Sequence, residues 1–205
     1  SSSKHKKFTY QKEIKMNNEL RPNKNELAFL NLSYKKFYDL FDEVMEDDFW
    51  NQDSLYRFTR IKDAFAIYSE LLNYTPIKWE IEKMKEKRPP MEAQIASDLF
   101  KFIRHVFSHF PFFDSWNEVW INKSIVNWNS PGRSIDKFLE KYSGRNEIKY
   151  RLWDSKKKEM IYLSINFPSS YSQGEKIYIK DMLHEKDGVK FSFALMRQVI
   201  DTQVI

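Results

Sequence analysis

One arginine and two of the four histidines of the chain lie in one short segment, Arg104–His109, which reads RHVFSH. A guanidinium can neutralise a phosphate and the charge that develops on it during cleavage, while an imidazole can move a proton. His109 falls in the last turn of a predicted helix, where the helix dipole favours the protonated imidazole. These residue types are suited to phosphodiester cleavage.

Metal binding is the alternative chemistry for the same segment. His105 and His109 are four residues apart and share one flank of the predicted helix, so they could bind zinc, with Asp98, Asp114 or a distant carboxylate as a third ligand. The general-base Glu of the H-E-x-x-H zinc motif is missing, because position 106 is Val. We therefore expect no metal, and His109 could also be a half-buried residue at a helix end.

The composition excludes most cofactor enzymes. The 205 residues include no cysteine, which excludes thiolate catalysis, cysteine-based zinc sites, iron–sulfur clusters and disulfide scaffolds. Only four glycines are present, and they lie far apart, so neither a Walker A loop nor a dinucleotide-binding fingerprint can form. We expect no cofactor.

Apolar residues at alternating steps of three and four predict two long helices that form an antiparallel hairpin joined at residues 47–51. The first stripe consists of Leu27, Leu30, Tyr34, Phe37, Phe41 and Val44. The second stripe consists of Leu55, Phe58, Ile61, Phe65, Tyr68 and Leu72. Pro76 ends the second helix, and a shorter charged helix is predicted over residues 77–87.

The segment with arginine and histidine lies at the end of a predicted fourth helix, Met91–Phe110, which Pro111 terminates. Its main apolar stripe is formed by Ile95, Leu99, Phe102 and Val106. A second apolar flank is formed by Phe100, Ile103 and Phe107. Since one bundle contact does not need both surfaces, we expect the flank to be covered by a second copy of the chain or by the hairpin predicted further along.

The pattern changes after Gly144. Residues 135–142 are predicted to form a short helix with Ser134 as its N-cap, and alternating apolar residues then predict a hairpin with strands at 148–152 and 161–165. Residues 176–180 could add a third strand, and a last helix is predicted over 191–201. The expected fold is mainly α, an up-and-down helical bundle with a small β-hairpin or three-strand appendage near the C-terminus. We expect three parts: a basic N-terminal segment (1–22), a helical bundle (23–144), and a region (145–205) with the hairpin and the last helix. The third part packs on the bundle, so that the chain forms a single domain.

The segment Arg104–His109 matches the R-x4–6-H motif and thereby resembles the HEPN superfamily, in which the residue after Arg is typically Asn, Asp or His. His105 occupies that position here. The context is similar too, because the motif ends the last long helix of the predicted bundle and precedes an irregular segment. The resemblance covers about residues 25–142 and does not explain the basic N-terminal segment or the hairpin.

Many HEPN proteins are metal-independent endoribonucleases of toxin–antitoxin, abortive-infection and CRISPR-associated systems, and two protomers commonly form one composite cleft. The resemblance implies that Arg104 holds the scissile phosphate, that His109 is the acid/base, and that His105 orients the site or contacts RNA. The implied reaction is attack of the RNA 2′-OH on the adjacent phosphate, giving a 2′,3′-cyclic phosphate and a 5′-OH end. DNA lacks this nucleophile.

Two other function classes stay open: a non-catalytic HEPN-like module that binds RNA or protein, and a purely structural bundle. The implied partners are RNA, a second copy of the chain, and an antitoxin or other regulatory protein. The acidic stretch from Asp39 to Asp53, with seven carboxylates and no Lys or Arg, could dock a basic partner. The sequence contains neither an uninterrupted apolar run of about 18 residues, as a membrane-spanning helix needs, nor the apolar core of a signal peptide. We therefore expect a cytoplasmic protein without membrane contact.

Positive charge suggests where RNA would bind. Residues 1–24 carry seven Lys or Arg against two Glu. Their excess of five positive charges equals the formal net charge of +5 of the whole chain, and such a segment can bind phosphates. The candidate RNA contacts are Lys101, Ser108, Trp116, Lys156, Lys157 and Lys158. Trp116 could stack on an unpaired base, although its helical spacing from Trp120 favours a place in the core or an interface.

Overall fold

The computed structural model describes residues 22–109, 115–122, 134–145, 148–154, 157–169 and 175–202. The fold is mainly helical with two small antiparallel sheets, which confirms the expected fold class at this level. Within the described ranges, no helix combines the length and the apolar composition that crossing a bilayer requires.

The predicted helical hairpin is present. Helix α1 spans Lys24–Met45, a 3-10 turn covers Asp47–Asn51, and α2 spans Ser54–Leu71. The Asn23 side chain caps α1 by accepting hydrogen bonds from the backbone N–H groups of Asn25 and Glu26, an arrangement that stabilises a helix by about 1 kcal/mol. Both apolar stripes face the core except at their first residues, since Leu27 and Leu55 are 47% and 51% exposed.

Glu43 on α1 is held by two residues of α2. Its carboxylate accepts hydrogen bonds from the Tyr56 hydroxyl and from Arg60, whose Nη2 lies 2.7 Å away. Burial raises the pKa of Glu43, but the hydrogen bonds from Tyr56 and Arg60 outweigh burial and hold the pKa below its usual value. The cluster therefore favours the ionised carboxylate in the folded state.

We expect Glu43→Gln to lower the free energy of unfolding by about 1 kcal/mol at neutral pH and to have little effect in acid. A carboxyl group whose pKa is lower in the folded chain stabilises the fold above its unfolded pKa of about 4.3, and this contribution disappears as pH falls through the folded pKa. Urea unfolding of the wild type and of Glu43→Gln at pH 7 and pH 3 measures the change in the free energy of unfolding. Asp42→Asn, at an exposed neighbouring position, is the control, and equal losses at both pH values would contradict the prediction.

Two further helices complete the motif-bearing region. Helix α3 spans Thr75–Glu86, and Pro76 lies in its first turn, where a missing N–H costs nothing. Helix α4 spans Pro90–His109 and carries the RHVFSH segment at its C-terminal end. Pro76 therefore belongs to the start of α3, and α2 has already ended at Leu71.

The expectation that the second flank of α4 would be covered by another copy of the chain or by the hairpin is wrong. Ile103 is fully buried and Phe107 is 2% exposed. The Phe107 ring lies 4.8 Å from that of Phe58 and 5.5 Å from that of Phe65, both on α2. The flank therefore packs against the α1–α2 hairpin of the same chain, and it no longer supports a dimer.

The β structure differs from the expected three-strand appendage. Strands β2 (Ile148–Asp154) and β3 (Glu159–Ile165) form the predicted hairpin. Strand β4 (Lys176–Tyr178) pairs instead with β1 (Trp120–Asn122), with Ile121 opposite Ile177. A short helix α5 (Ser134–Tyr142) lies between β1 and β2.

The chain returns to the centre of the bundle at its C-terminal end. After a single helical turn, α6 (Ile179–Met182), helix α7 spans Glu185–Asp201 and begins six residues before the predicted start. Phe193 of α7 is fully buried, and its ring lies 6.0 Å from that of Phe37 on α1. Gly188 allows the close approach of Leu183, because a Cβ at this position would lie 2.8 Å from the Leu183 side chain. Helix α7 is therefore part of the core.

Candidate functional site

A groove with a volume of about 180 Å³ lies between α2, α3, α4 and α7, and Arg104 and Lys101 of α4 line it. Lys85 and Arg88, from the end of α3 and the residues that follow it, add two more cations. We call this feature the cationic groove. Among the described residues that line it, none is acidic.

The four cations of the groove differ in how they are engaged. Lys85 forms an ion pair with Glu82 at 2.9 Å, and the Arg88 guanidinium donates a hydrogen bond to the Gln198 side chain. Neither Lys101 nor Arg104 forms a hydrogen bond or ion pair with another described residue. Two cations of α4 are thus available to an anion.

Tyr68 of α2 lines the groove and lies near Arg104. The ring is 4% exposed, and burial raises the pKa of its hydroxyl, while the positive charge of Arg104 acts in the opposite direction. The phenol is therefore neutral at physiological pH. It can donate a hydrogen bond to an anion that Arg104 binds.

The predicted site residues occupy two faces of α4. Lys101 and Arg104 are three residues apart and share the face that lines the groove. At about 100° per residue, His109 stands about 140° around the helix from Arg104, and His105 about 100°. His105 is partly buried, whereas the side chains of Ser108 and His109 lie outside the described residues. Arg104 and His109 of one chain therefore do not share a helix face.

Asp98, the first candidate for a third metal ligand, is engaged in other contacts. Its carboxylate accepts hydrogen bonds from the Lys141 ammonium at 2.8 Å and from the Tyr142 hydroxyl at 3.0 Å, which join α4 to α5. The hydrogen bond to Asp98 raises the pKa of Lys141. Asp114, the other candidate, lies outside the described residues, and the described part of the chain contains no cluster of three potential metal ligands.

Trp116 is a core residue and does not offer its ring to a base. It is 1% exposed, and its indole N–H donates a hydrogen bond to the backbone carbonyl of Leu183 at 3.0 Å. Its ring lies 5.5 Å from that of Phe107. The assignment of Trp116 as an RNA contact is therefore wrong, and the core placement that its spacing favoured is correct.

The lysines at the hairpin turn are exposed but lie near negative charge. Lys157 and Lys158 are exposed, and Lys156 lies outside the described residues. A hydrogen bond from Lys186 lowers the pKa of Asp47, and the charge of Lys157 adds to this effect. Asp47 of the acidic stretch thus lies near the hairpin turn, and its negative charge weakens the attraction of this turn for phosphate.

Sequence reasoning missed the parts of the groove that come from other helices. Tyr68 was assigned only to an apolar stripe and Lys85 only to the charged helix over residues 77–87, while Arg88, the next residue after that helix, was assigned to no element. The only sequence signal for this part of the groove was a run of basic residues ahead of the helix that carries the motif.

A comparison of the chain with protein families, curated proteins and solved structures finds no match.

Proposed function

We propose that this protein is a metal-independent endoribonuclease of the HEPN type, with Arg104 as the phosphate-binding group and His109 as the acid/base. The observation that carries the proposal is that the charge of Arg104 is not paired with an acidic residue in the described part of the chain. This residue belongs to the R-x4-H motif near the end of a long bundle helix, and its guanidinium has no ion-pair partner among the described residues. A guanidinium in that state can bind a phosphate without first breaking an internal contact.

In the proposed mechanism, His109 removes the proton from the RNA 2′-OH and, as the imidazolium so formed, donates a proton to the leaving 5′ oxygen. Arg104 stabilises the charge that develops on the phosphate between these two oxygens. His105 orients the site or contacts RNA, and Lys101, one helical turn before Arg104, contacts a neighbouring phosphate. A toxin or antiviral-defence role in the cytoplasm belongs to the same proposal, as does an antitoxin or regulatory partner.

The separation of Arg104 and His109 around α4 favours a composite site. Because the two positions stand about 140° apart on one helix, they do not converge on a single phosphate within one chain. Two copies of α4 brought together across a two-fold axis would place the arginine of one copy near the histidine of the other. A homodimer is therefore part of the proposal, and it rests on this geometry rather than on an exposed apolar flank.

The test is incubation of the wild-type protein with single-stranded RNA in the presence of EDTA. We expect cleavage, together with a dimer by sedimentation at the assay concentration. RNA binding without cleavage would instead assign the chain to the non-catalytic module. Full activity in a monomer would remove both the composite site and the joint action of Arg104 and His109 on one phosphate, and would leave a ribonuclease with other catalytic residues.

We expect the basic N-terminal segment to supply part of the RNA affinity through phosphate contacts. Replacing Lys4, Lys6 and Lys7 with Gln should then reduce the log–log slope of affinity against salt by about 2, at about 0.7 per phosphate on single strands. Filter binding across a salt series measures the slope. The control replaces the exposed Lys35, Lys36 and Lys78 with Gln, and an unchanged slope in the N-terminal variant would contradict the prediction.

A further inference from the structure

We propose that the cationic groove is a binding site for a small organic anion that has an aliphatic body. The groove is lined by residues of α2, α3, α4 and α7 and by Arg88. The proposal concerns the resting groove and holds whether or not the protein cleaves RNA.

The floor of the groove fits an aliphatic body. Leu72, Ile81, Met84 and Leu195 line it, and each is only partly buried, so apolar surface remains available to a ligand. Burial of such surface against an apolar ligand is favourable in water. By comparison with the roughly 150 Å³ cavity that holds benzene, a volume of about 180 Å³ has room for about six to eight carbon atoms.

The rim of the groove fits one anionic head group. Lys101 and Arg104 lie one helical turn apart and lack partners among the described residues, and Lys85 and Arg88 line the same groove. The Tyr68 hydroxyl adds a neutral donor beside Arg104. A carboxylate or phosphate at this edge would receive charge-assisted hydrogen bonds, which are stronger than those between neutral groups.

Two other occupants fit less well. The N-terminal segment of this chain is itself basic, so the rim would repel it. A nucleobase carries several donors and acceptors, whereas Tyr68 and Ser97 are the only neutral polar side chains among the described lining residues. A base in the groove would therefore leave polar groups unpaired, which is costly.

The test compares four probes by ligand-observed NMR with the full chain and no RNA. Octanoate carries both the aliphatic body and the charge, 1-octanol lacks the charge, acetate lacks the body, and cytidine 3′-monophosphate replaces the body with a base. We expect octanoate to bind at least about tenfold more tightly than each of the others. Equal affinity for octanol, acetate or the nucleotide would overturn the proposal.

Two sets of variants place the ligand in the groove. Replacing Lys101 and Arg104 together with Gln should lower octanoate affinity by about tenfold and leave octanol unchanged. The matched control replaces the exposed Lys35 and Lys36 of α1 with Gln and should change neither. If both pairs of substitutions have the same effect, the anion is held by net charge and the proposal fails.

A second variant fills the groove. Ala93 is a partly buried lining residue of α4, so Ala93→Leu should abolish binding of octanoate without disturbing the core. Ala66→Leu, at an exposed position of α2, is the control and should bind as the wild type does. Unfolding curves confirm that each variant is folded, and unchanged binding by a folded Ala93→Leu would place the ligand elsewhere.

Discussion

Arg104→Ala and His109→Ala should each reduce the rate of RNA cleavage by at least about two orders of magnitude, the usual contribution of an acid–base group. Loss of Arg104 removes the positive charge that meets the developing charge on the phosphate. Loss of His109 removes the proton transfer. The two losses should not be additive in the double variant, because both groups act on the same transition state.

The control for these variants is Lys36→Ala, which removes an exposed cation of α1 that has no part in the proposed site. Its cleavage rate should match that of the wild type. The same residual activity in the Arg104, His109 and double variants as in the wild type would indicate a contaminating nuclease. That result would remove the catalytic proposal and leave the fold and the cationic groove as described.

Phe107→Ala should lower the free energy of unfolding by about 3 to 5 kcal/mol, a large fraction of the 5 to 15 kcal/mol that is typical of a domain. The ring is 2% exposed and contacts Phe58, Phe65 and Trp116, so its loss leaves a cavity where α4 meets α2. Denaturant unfolding measures the change.

The matched variant is Phe29→Ala on α1, where the ring is 48% exposed and removal should change the free energy of unfolding by no more than about 0.5 kcal/mol. The pair tests the finding that the second flank of α4 is internal. If Phe107→Ala behaved like Phe29→Ala while converting a dimer to a monomer, the flank would be an intersubunit contact after all.

The helices were largely predictable because their signal is local. Tyr34, Phe37 and Phe41 recur at the spacing of a helix face, and in the structure they are buried on α1. The short helix α5 ends at Tyr142 as expected, ahead of Gly144, whose φ of 73° suits the turn that follows. Such features depend on neighbouring residues, so a single sequence shows them.

The errors arose where distant segments meet. Strand β4 was recognisable at Lys176–Tyr178, but alternation does not reveal its partner, which lies more than 50 residues away at Trp120–Asn122. The apolar flank of α4 was visible, yet periodicity could not show that Phe58 and Phe65 cover it. An apolar face requires burial without specifying whether the same chain or another provides it.

The candidate site was predictable in part for the same reason. Arg104 stood out because a motif is a local pattern, whereas the groove around it requires four helices to be packed. Tyr68 and Arg88 enter the site only through that packing. The sequence also could not show that Asp98 is occupied by Lys141 and Tyr142, since both contacts come from α5.

The most direct test of the proposed reaction uses one RNA oligonucleotide and a copy with a single 2′-deoxy residue at the mapped cleavage position. The wild-type protein, in EDTA, should cut the RNA and leave a 2′,3′-cyclic phosphate and a 5′-OH, which mass spectrometry of the fragments identifies. The copy should resist cleavage at that position, because the attacking hydroxyl is missing. Cleavage of both oligonucleotides at the same position, or fragments that carry a 5′-phosphate, would contradict the account.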